Sequence, residues 1–420
     1  MIRFFNGKVL SFKNGMEITD DEVWVDGSKI VFVGKNCDKK ADKEIDLKGN
    51  LLMPSFKNAH THSAMTFARS LADDLPLQPW LFETIFPLEA KLKGDDIYAL
   101  SRLAFLEYLT SGITACFDMY YFPEDMARAS VDAGFRTVMT CGLNNFQESI
   151  EKLDEYYNKF NNYNELISYT LGFHAEYTTS KELMTGIAEL AEKYKAPVFM
   201  HSSETESEVL ECIDRYGKTP TALFEELGLF NYGGGAYHSV WVNDDDLEIY
   251  KKRGVYAVIN AGSNSKLASG IAPVSKMIDK GINLAIGTDG PSSNNALDMF
   301  REMFLIAATQ KLNDKDAAST DANKILEMAT VGSARCMGLN DCDVIDVGKT
   351  ADLIVIDLHR PNMQPINNIT KNIVYSGSKE NVKMTMINGK ILYENGNFVD
   401  TDIEEIYRNA QEVTDRIKNS

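Results

Sequence analysis

Between Leu52 and Gly287 eight short apolar runs alternate with helix-patterned stretches, and this alternation leaves few folds open. The runs are Leu52–Ala59, Ile113–Asp118, Thr137–Gly142, Tyr169–Phe173, Pro197–Met200, Gly235–Tyr237, Val255–Asn260 and Asn283–Gly287. Between them lie stretches of helical periodicity such as Asp95–Thr110, Pro123–Ala133, Ser180–Tyr194 and Asp244–Lys252. Ser180 reads as a helix N-cap, and Gly134, Gly254 and Gly281 as C-terminal stops before the next strand. Strands that alternate with helices build a parallel sheet. Eight such units in about 290 residues have the size of a TIM-type (β/α)8 barrel. A doubly wound open sheet is the rival, but no GxGxxG turn follows the first run.

The two ends have a different texture. Lys8–Phe12, Glu22–Val25 and Lys29–Gly34 read as short strands, separated by turn chemistry at Asn14-Gly15 and Asp26-Gly27. The same pattern returns in Asp352–Asp357, Ile373–Tyr375 and Val382–Ile387, then Asn388-Gly389 and Ile391–Tyr393. We therefore expect residues 1–54 and 344–420 to join into one small β-sandwich domain around a barrel of residues 55–343, with an amphipathic helix at about Asp402–Lys418.

Composition narrows the function classes. The 420 residues carry a formal charge of −18, which repels phosphate backbones and anionic lipid. Nucleic-acid and membrane partners are therefore not expected, whereas a small neutral or zwitterionic substrate in a cleft is. The N-terminal stretch has no apolar core of a signal peptide, and no run of 18 apolar residues occurs. Six scattered cysteines without a CxxC pair fit a reduced, cytoplasmic protein.

The positions of the histidines point to chemistry. His60 and His62 end the first run, His174 the fourth, His201 the fifth and His238 the sixth, and Asp289 follows the eighth. That is the face where barrel enzymes gather catalytic groups. The sixth histidine, His359, reads as a surface residue. In His60-Thr61-His62 the period-two spacing sends both imidazoles to one side of an extended chain, where they can grip one ion. Alone, such a pair is weak evidence; further donors at other strand ends strengthen it. Three imidazoles and a carboxylate suit Zn2+, and Fe2+, Mn2+ or Ni2+ can use the same donors. A second ion would need a bridging group at the end of the fourth run. That run has no lysine, so one divalent metal is expected. Glu204, three residues after His201, is placed for proton transfer, although a carboxylate opening a helix is the blander explanation. Asp289 in an Asp-Gly turn and His238 after three glycines have structural alternatives of the same kind.

The segments MPSFKNAHTHSAMTFARSLADDLPLQPWLFETIFPLEAKL, HAEYT, HSSET, YHSVW, SNSKLASGIAP and GTDGPSSNNALDMF together resemble the amidohydrolase superfamily, in particular its 5-methylthioadenosine/S-adenosylhomocysteine deaminase branch. The likeness runs nearly the whole chain, through VGKTADLIVIDL and MINGKILYENG at the C-terminal end. It implies metal ligands at His60, His62, His201 and Asp289, acid/base work by Glu204, and water polarisation by His238. It also implies substrate contacts at His174, at Glu89 to ribose hydroxyls, and at Glu204 and Asp289, with a homo-oligomer. The reaction it implies is hydrolytic deamination of adenosine-type nucleosides: methylthioadenosine, 5'-deoxyadenosine, adenosine, and S-adenosylhomocysteine last.

Three departures stand out. Cys141 replaces an arginine common in homocysteine-accepting relatives, which moves the expectation away from a carboxylate-bearing substrate. Asn260 and Gly262 replace other residues before Ser263-Asn264, and Ser55 replaces a glycine. Deamination of 8-oxoguanine or a pterin, and displacement of chloride or an amine from a triazine, would use the same ion; Glu89 disfavours them. A non-catalytic scaffold predicts lost ligands, and none is lost.

Overall fold

The computed structural model describes residues 1–419. Nine parallel strand segments form its centre, and most are buried on both faces. Every residue of Ile113–Met119, for example, is buried. A strand covered on both sides reads as an unbroken apolar run, which is why these were visible in the sequence. Phe56–Thr61, Ile113–Met119, Arg136–Thr140 and Ile167–Tyr169 make one sheet. Leu171–Ala175, Val198–Ser202, Gly234–His238, Tyr256–Ile259 and Asn283–Ile286 make the other. The fourth strand serves both, interrupted only at Thr170, whose N–H donates to Met139 O at 2.9 Å. At the opposite seam Asp289 N donates to His60 O at 3.0 Å, and Thr288 N to Asn58 Oδ1 at 2.9 Å.

The helices begin and end where local chemistry directs. Ser180 Oγ accepts from Leu183 N to start Lys181–Tyr194. Gly134, Gly254 and Gly281 close their helices in the left-handed conformation that glycine tolerates best. No described helix is long and apolar enough to cross a membrane.

Strands from both ends do join. A seven-stranded sheet runs in the order Asn397–Phe398, Lys390–Glu394, Val382–Ile387, Leu353–Ile356, Leu51–Pro54, Lys8–Ser11, Glu17–Thr19. A four-stranded sheet of N-terminal strands (Lys29–Gly34, Glu22–Asp26, Ile2–Phe5, Lys43–Asp46) shares an apolar cluster with it, including Phe4, Val23, Leu52, Val355 and Met386. The hairpin at Asn388-Gly389 has positive φ at both loop residues, 53° and 76°, the geometry that matches strand twist.

Two expectations need correction. Leu52–Ala59 is not one strand. Leu51–Pro54 pairs with Leu353–Ile356 in the terminal sheet, the chain turns at Ser55, and Phe56 starts the first parallel strand. Ile373–Tyr375 is not a strand either but the end of helix Ile369–Tyr375. Asn368 caps that helix through Lys371 N, and burial of Ile373 and Val374 overrides their β propensity. The terminal helix occupies Ile403–Asn419.

The floor of the parallel strands holds a buried charge cluster. Lys57 is fully buried, with Nζ donating to Ser55 Oγ at 2.6 Å and Thr114 Oγ1 at 2.7 Å, and 3.8 Å from Asp352 Oδ2. Arg136 grips the same carboxylate through Nε at 2.9 Å and Nη2 at 3.2 Å. Burial alone would raise the Asp352 carboxyl. The two cations outweigh it and hold the group below its ordinary value. Ser55 thus has an account: its hydroxyl helps solvate a buried ammonium.

Candidate active site

The C-terminal strand ends open into a cavity of about 620 Å³. His60 lies in the first strand and His62 just beyond it, their rings 4.9 Å apart. His201 lies in Val198–Ser202, and Asp289 in the turn after the last strand. One donor atom from each of these four residues lies within 4.8 Å of all the others. Asp289 Oδ1 is 3.2 Å from His62 Nε2 and 3.5 Å from His60 Nε2. Two ligands about 2.1 Å from one ion, at a tetrahedral angle, sit roughly 3.4 Å apart. The spacing therefore suits one zinc-sized ion.

Hydrogen bonding supports the same assignment. His60 is fully buried and neither ring nitrogen has a partner, an arrangement that costs about 1–3 kcal/mol per orphaned group unless something else binds there. Its ring lies stacked on Tyr237, centroids 3.7 Å apart. His62 Nδ1 donates to Met119 O, and His201 Nδ1 to His174 O, each at 2.7 Å, which leaves both Nε2 atoms for an ion. Burial drives the His60 ring down to about 3 and the His201 ring well below its ordinary value, so both are neutral. Burial also lowers His62, but the adjacent Asp289 outweighs it and raises that ring to about 9. The pull that draws a proton there draws a divalent cation as well. The nearby His60 and His62 rings outweigh burial and hold the Asp289 carboxyl well below its ordinary value.

Asp289 has its own supports. Gly290 N donates to Oδ1 at 2.7 Å, while Ser263 Oγ at 2.6 Å and Ser293 Oγ at 2.9 Å donate to Oδ2. Behind them, buried Glu302 accepts from Gly262 N at 2.9 Å and Asn294 Nδ2 at 2.8 Å. A Cβ at position 262 would lie 2.3 Å from Glu302 Oε1 and 2.6 Å from Asn294 Oδ1, so glycine is required there. Nothing in the structure explains Asn260, whose buried amide has no partner.

Glu204 and His238 face each other across the cavity side of the donors, Oε2 to Nε2 3.6 Å. Asn264 Oδ1 accepts from His238 Nδ1 at 2.8 Å, aiming Nε2 at the cavity. Ser269 Oγ donates to Glu204 Oε1 at 3.1 Å. Glu208 fixes the turn by accepting from Ser203 N and Glu204 N, both at 2.8 Å. Burial raises the Glu204 carboxyl, and the Asp289 charge adds to this against the pull of His238. His238 and Asp289 both hold left-handed backbone, φ 72° and 61°, strain of the kind that persists where surroundings dictate it.

The roof is mostly apolar: Met65, Trp80, Leu81, Phe86, Tyr121 and Leu267. Glu89, buried at the end of Phe86–Glu89, accepts from Tyr120 Oη at 2.6 Å, and burial raises its carboxyl to about 7. His174 lines the cavity with Nδ1 2.8 Å from Thr178 Oγ1. All eight residues singled out in the sequence converge here. Cys141 does not line the cavity; its buried thiol faces Gly172 O at 3.6 Å, and Gly142 takes the wall position. Exposed His359 lies elsewhere, its Nε2 2.7 Å from Lys48 O. The motifs quoted above contain Ser263, Asn264, Ser269, Ser293 and Glu302's neighbours. Their supporting roles depend on loop paths that the sequence does not display.

A model of the amidohydrolase family matches residues 51–392. The 5-methylthioadenosine/S-adenosylhomocysteine deaminase of Caldanaerobacter subterraneus subsp. tengcongensis is 39% identical, covering 99% of this chain and 97% of that one. The 5'-deoxyadenosine deaminase of Methanopyrus kandleri is 36% identical, covering 98% and 100%. Among solved structures, an adenosine deaminase from Xanthomonas campestris with bound zinc superposes with a TM-score of 0.95 at 31% identity, covering 100% of this chain and 99% of that one. The four donors assembled here suit one such ion. From its sequence, its site and these relatives, the chain belongs to the amidohydrolase family.

Proposed function

We propose that the chain deaminates adenine nucleosides by hydrolysis, with one divalent metal ion, zinc, as cofactor. One observation carries the reading: a four-donor metal cluster shares a cavity with Glu204, a buried carboxyl outside the donor set whose pKa burial raises. Relatives named for deamination of methylthioadenosine, S-adenosylhomocysteine and 5'-deoxyadenosine support it. We read residues 1–54 and 344–420 as a β-sandwich unit, and residues 55–343 as a barrel closed between its first and eighth strands.

His60, His62, His201 and Asp289 would hold the ion, which when bound supplies the Lewis acidity that makes water nucleophilic near neutral pH. The apolar roof receives the purine face and excludes bulk water. Glu204 gives its proton to the ring nitrogen next to the amino-bearing carbon. Asp289 takes the proton of the attacking water, and His238, oriented by Asn264, hydrogen-bonds the incoming oxygen. A C–O bond forms; Asp289 passes its proton to the amino group, the C–N bond breaks and ammonia leaves, and the hydroxyl proton returns to Glu204, giving an inosine-type product. Ionised Glu89 accepts hydrogen bonds from ribose hydroxyls, and His174 contacts the substrate.

The described cavity wall contains Glu89, Glu204 and Asp289 but no lysine or arginine. A free carboxylate on the substrate's tail would meet no counter-charge, which favours uncharged 5' substituents. The test is ammonia release from adenosine, 5'-deoxyadenosine, methylthioadenosine and S-adenosylhomocysteine, with Glu204→Gln as control. We expect release from the first three, a preference against the last, and at least 100-fold lower kcat in the variant. Full activity of Glu204→Gln would remove the proton-transfer role, and a preference for S-adenosylhomocysteine would remove the charge argument.

A further inference from the structure

Residues 70–89 roof the cavity, contributing Leu77, Trp80, Leu81, Phe86 and Glu89 to its wall. Ala72, Trp80, Leu81 and Ile85 pack it into the main apolar core, and Glu89 accepts from Tyr120, but its other long-range polar ties are few. Between Leu71 and Leu88, among the described residues, the side-chain hydrogen bonds and ion pairs that reach distant parts of the chain all belong to Asp73. Its partner is Lys266, whose Nζ donates to Asp73 Oδ1 at 2.6 Å, to Ser292 O at 3.0 Å and to Asn295 Oδ1. An ammonium has three N–H groups, and all three are used. Asn295 returns the contact, donating to Ser70 Oγ at 2.9 Å and Asp73 Oδ2 at 3.2 Å.

Lys266 ends the short helix Ala261–Lys266, which carries Ser263 against Asp289 and Asn264 against His238. Ser292 and Asn295 lie on the loop that follows Asp289. One ammonium therefore ties together the roof with Glu89, the helix that orients two reacting groups, and the loop of Asp289. The backbone around it is strained. Ser70, Asp74, Ala268 and Asn295 all have left-handed φ, between 55° and 69°. Non-glycine residues hold such conformations when surrounding bonds enforce them, and at Ser70 and Asn295 this cluster supplies such bonds.

We propose that Lys266 is a positioning residue. It fastens the roof segment, and Glu89 with it, in register with Asp289 and His238. The substrate consequence rests on the nucleoside reading above; the fastening itself does not. Lys266→Met tests both. Amide hydrogen exchange in residues 70–89 should accelerate at least 10-fold, with bound zinc unchanged. The kcat/KM ratio for adenosine over 2',3'-dideoxyadenosine, which lacks the hydroxyls Glu89 would read, should fall at least fivefold. Lys266→Arg should recover part of both effects. If Lys266→Met does not fold, Asp73→Asn removes the roof's half of the pair and leaves the other two acceptors of Lys266, so the same exchange is measured there. Exchange within twofold of wild type overturns the proposal, as does undiminished hydroxyl discrimination. A wild-type protein inactive on every nucleoside defeats the nucleoside reading instead, and exchange alone then decides whether Lys266 fastens the roof.

Discussion

Replacing Ser263 with alanine removes the shorter of two hydroxyl donors from the outer oxygen of Asp289 while leaving every proposed metal ligand in place. The bond is 2.6 Å to an ionised carboxylate, in the range of charge-assisted hydrogen bonds, worth about 1.5–3 kcal/mol. At about 1.4 kcal/mol per tenfold, that is roughly 10- to 150-fold. Loss of such outer supports typically lowers metal affinity or activity about 10–100-fold. We therefore expect zinc affinity, measured by competition with a chromogenic chelator, or kcat/KM at saturating zinc to fall by at least 10-fold. Ser293→Ala should cost less. Its bond is 2.9 Å, and its hydroxyl also reaches Gly290 O at 3.1 Å. Both hydroxyls steady one oxygen, so the double variant should be non-additive. If Ser263→Ala folds normally and both quantities stay within threefold of wild type, the claim that outer hydrogen bonds tune Asp289 is wrong.

Two other perturbations read different parts of the molecule. Burial raises the Glu89 carboxyl to about 7, so it becomes neutral and loses acceptor strength as pH falls through that value. KM for adenosine should therefore rise toward acid while KM for 2',3'-dideoxyadenosine changes much less, and Glu89→Gln should flatten the difference. Asp352→Ala strands Lys57 and Arg136 in the floor, and removing one partner of a buried pair costs about 3–5 kcal/mol. Urea unfolding measures this loss, and a loss below about 1 kcal/mol would show that Ser55 and Thr114 suffice for Lys57, and Glu165 O for Arg136, without the carboxylate.

What the sequence revealed follows from how strongly each feature is constrained locally. Strands buried on both faces are mostly apolar, so Ile113–Met119 is plain as a run despite Thr114 and Asp118. The His60-Thr61-His62 pair is visible because strand geometry fixes where alternate side chains point. The break at Ser55 is not, because a single residue separates Leu51–Pro54 from Phe56–Thr61, both are buried throughout, and their different partners lie far away in sequence. Ile369–Tyr375 misleads for a related reason: its β-branched residues suit a strand, and only the Asn368 cap and tertiary burial make it a helix. Glu89 became visible only through family likeness, since its meaning lies in Tyr120 and the cavity. Lys266 looks like an ordinary surface lysine until Asp73, Ser292 and Asn295 are brought around it.

The charged floor also bears on the order in which the chain can mature. Ser55 and Asp352 touch across 297 residues, and Arg136 waits across 216 for the same aspartate. During synthesis from the N-terminus, Lys57 and Arg136 emerge long before their counter-ion, so the first and third strands cannot settle into a dry interior as they appear. Burying either cation before Asp352 leaves the ribosome costs several kcal/mol, which favours a hydrated state for the early strands until then. Final locking of the barrel is thereby a late, long-range event, and a nascent chain stalled before residue 352 should remain sensitive to protease throughout its first three strands.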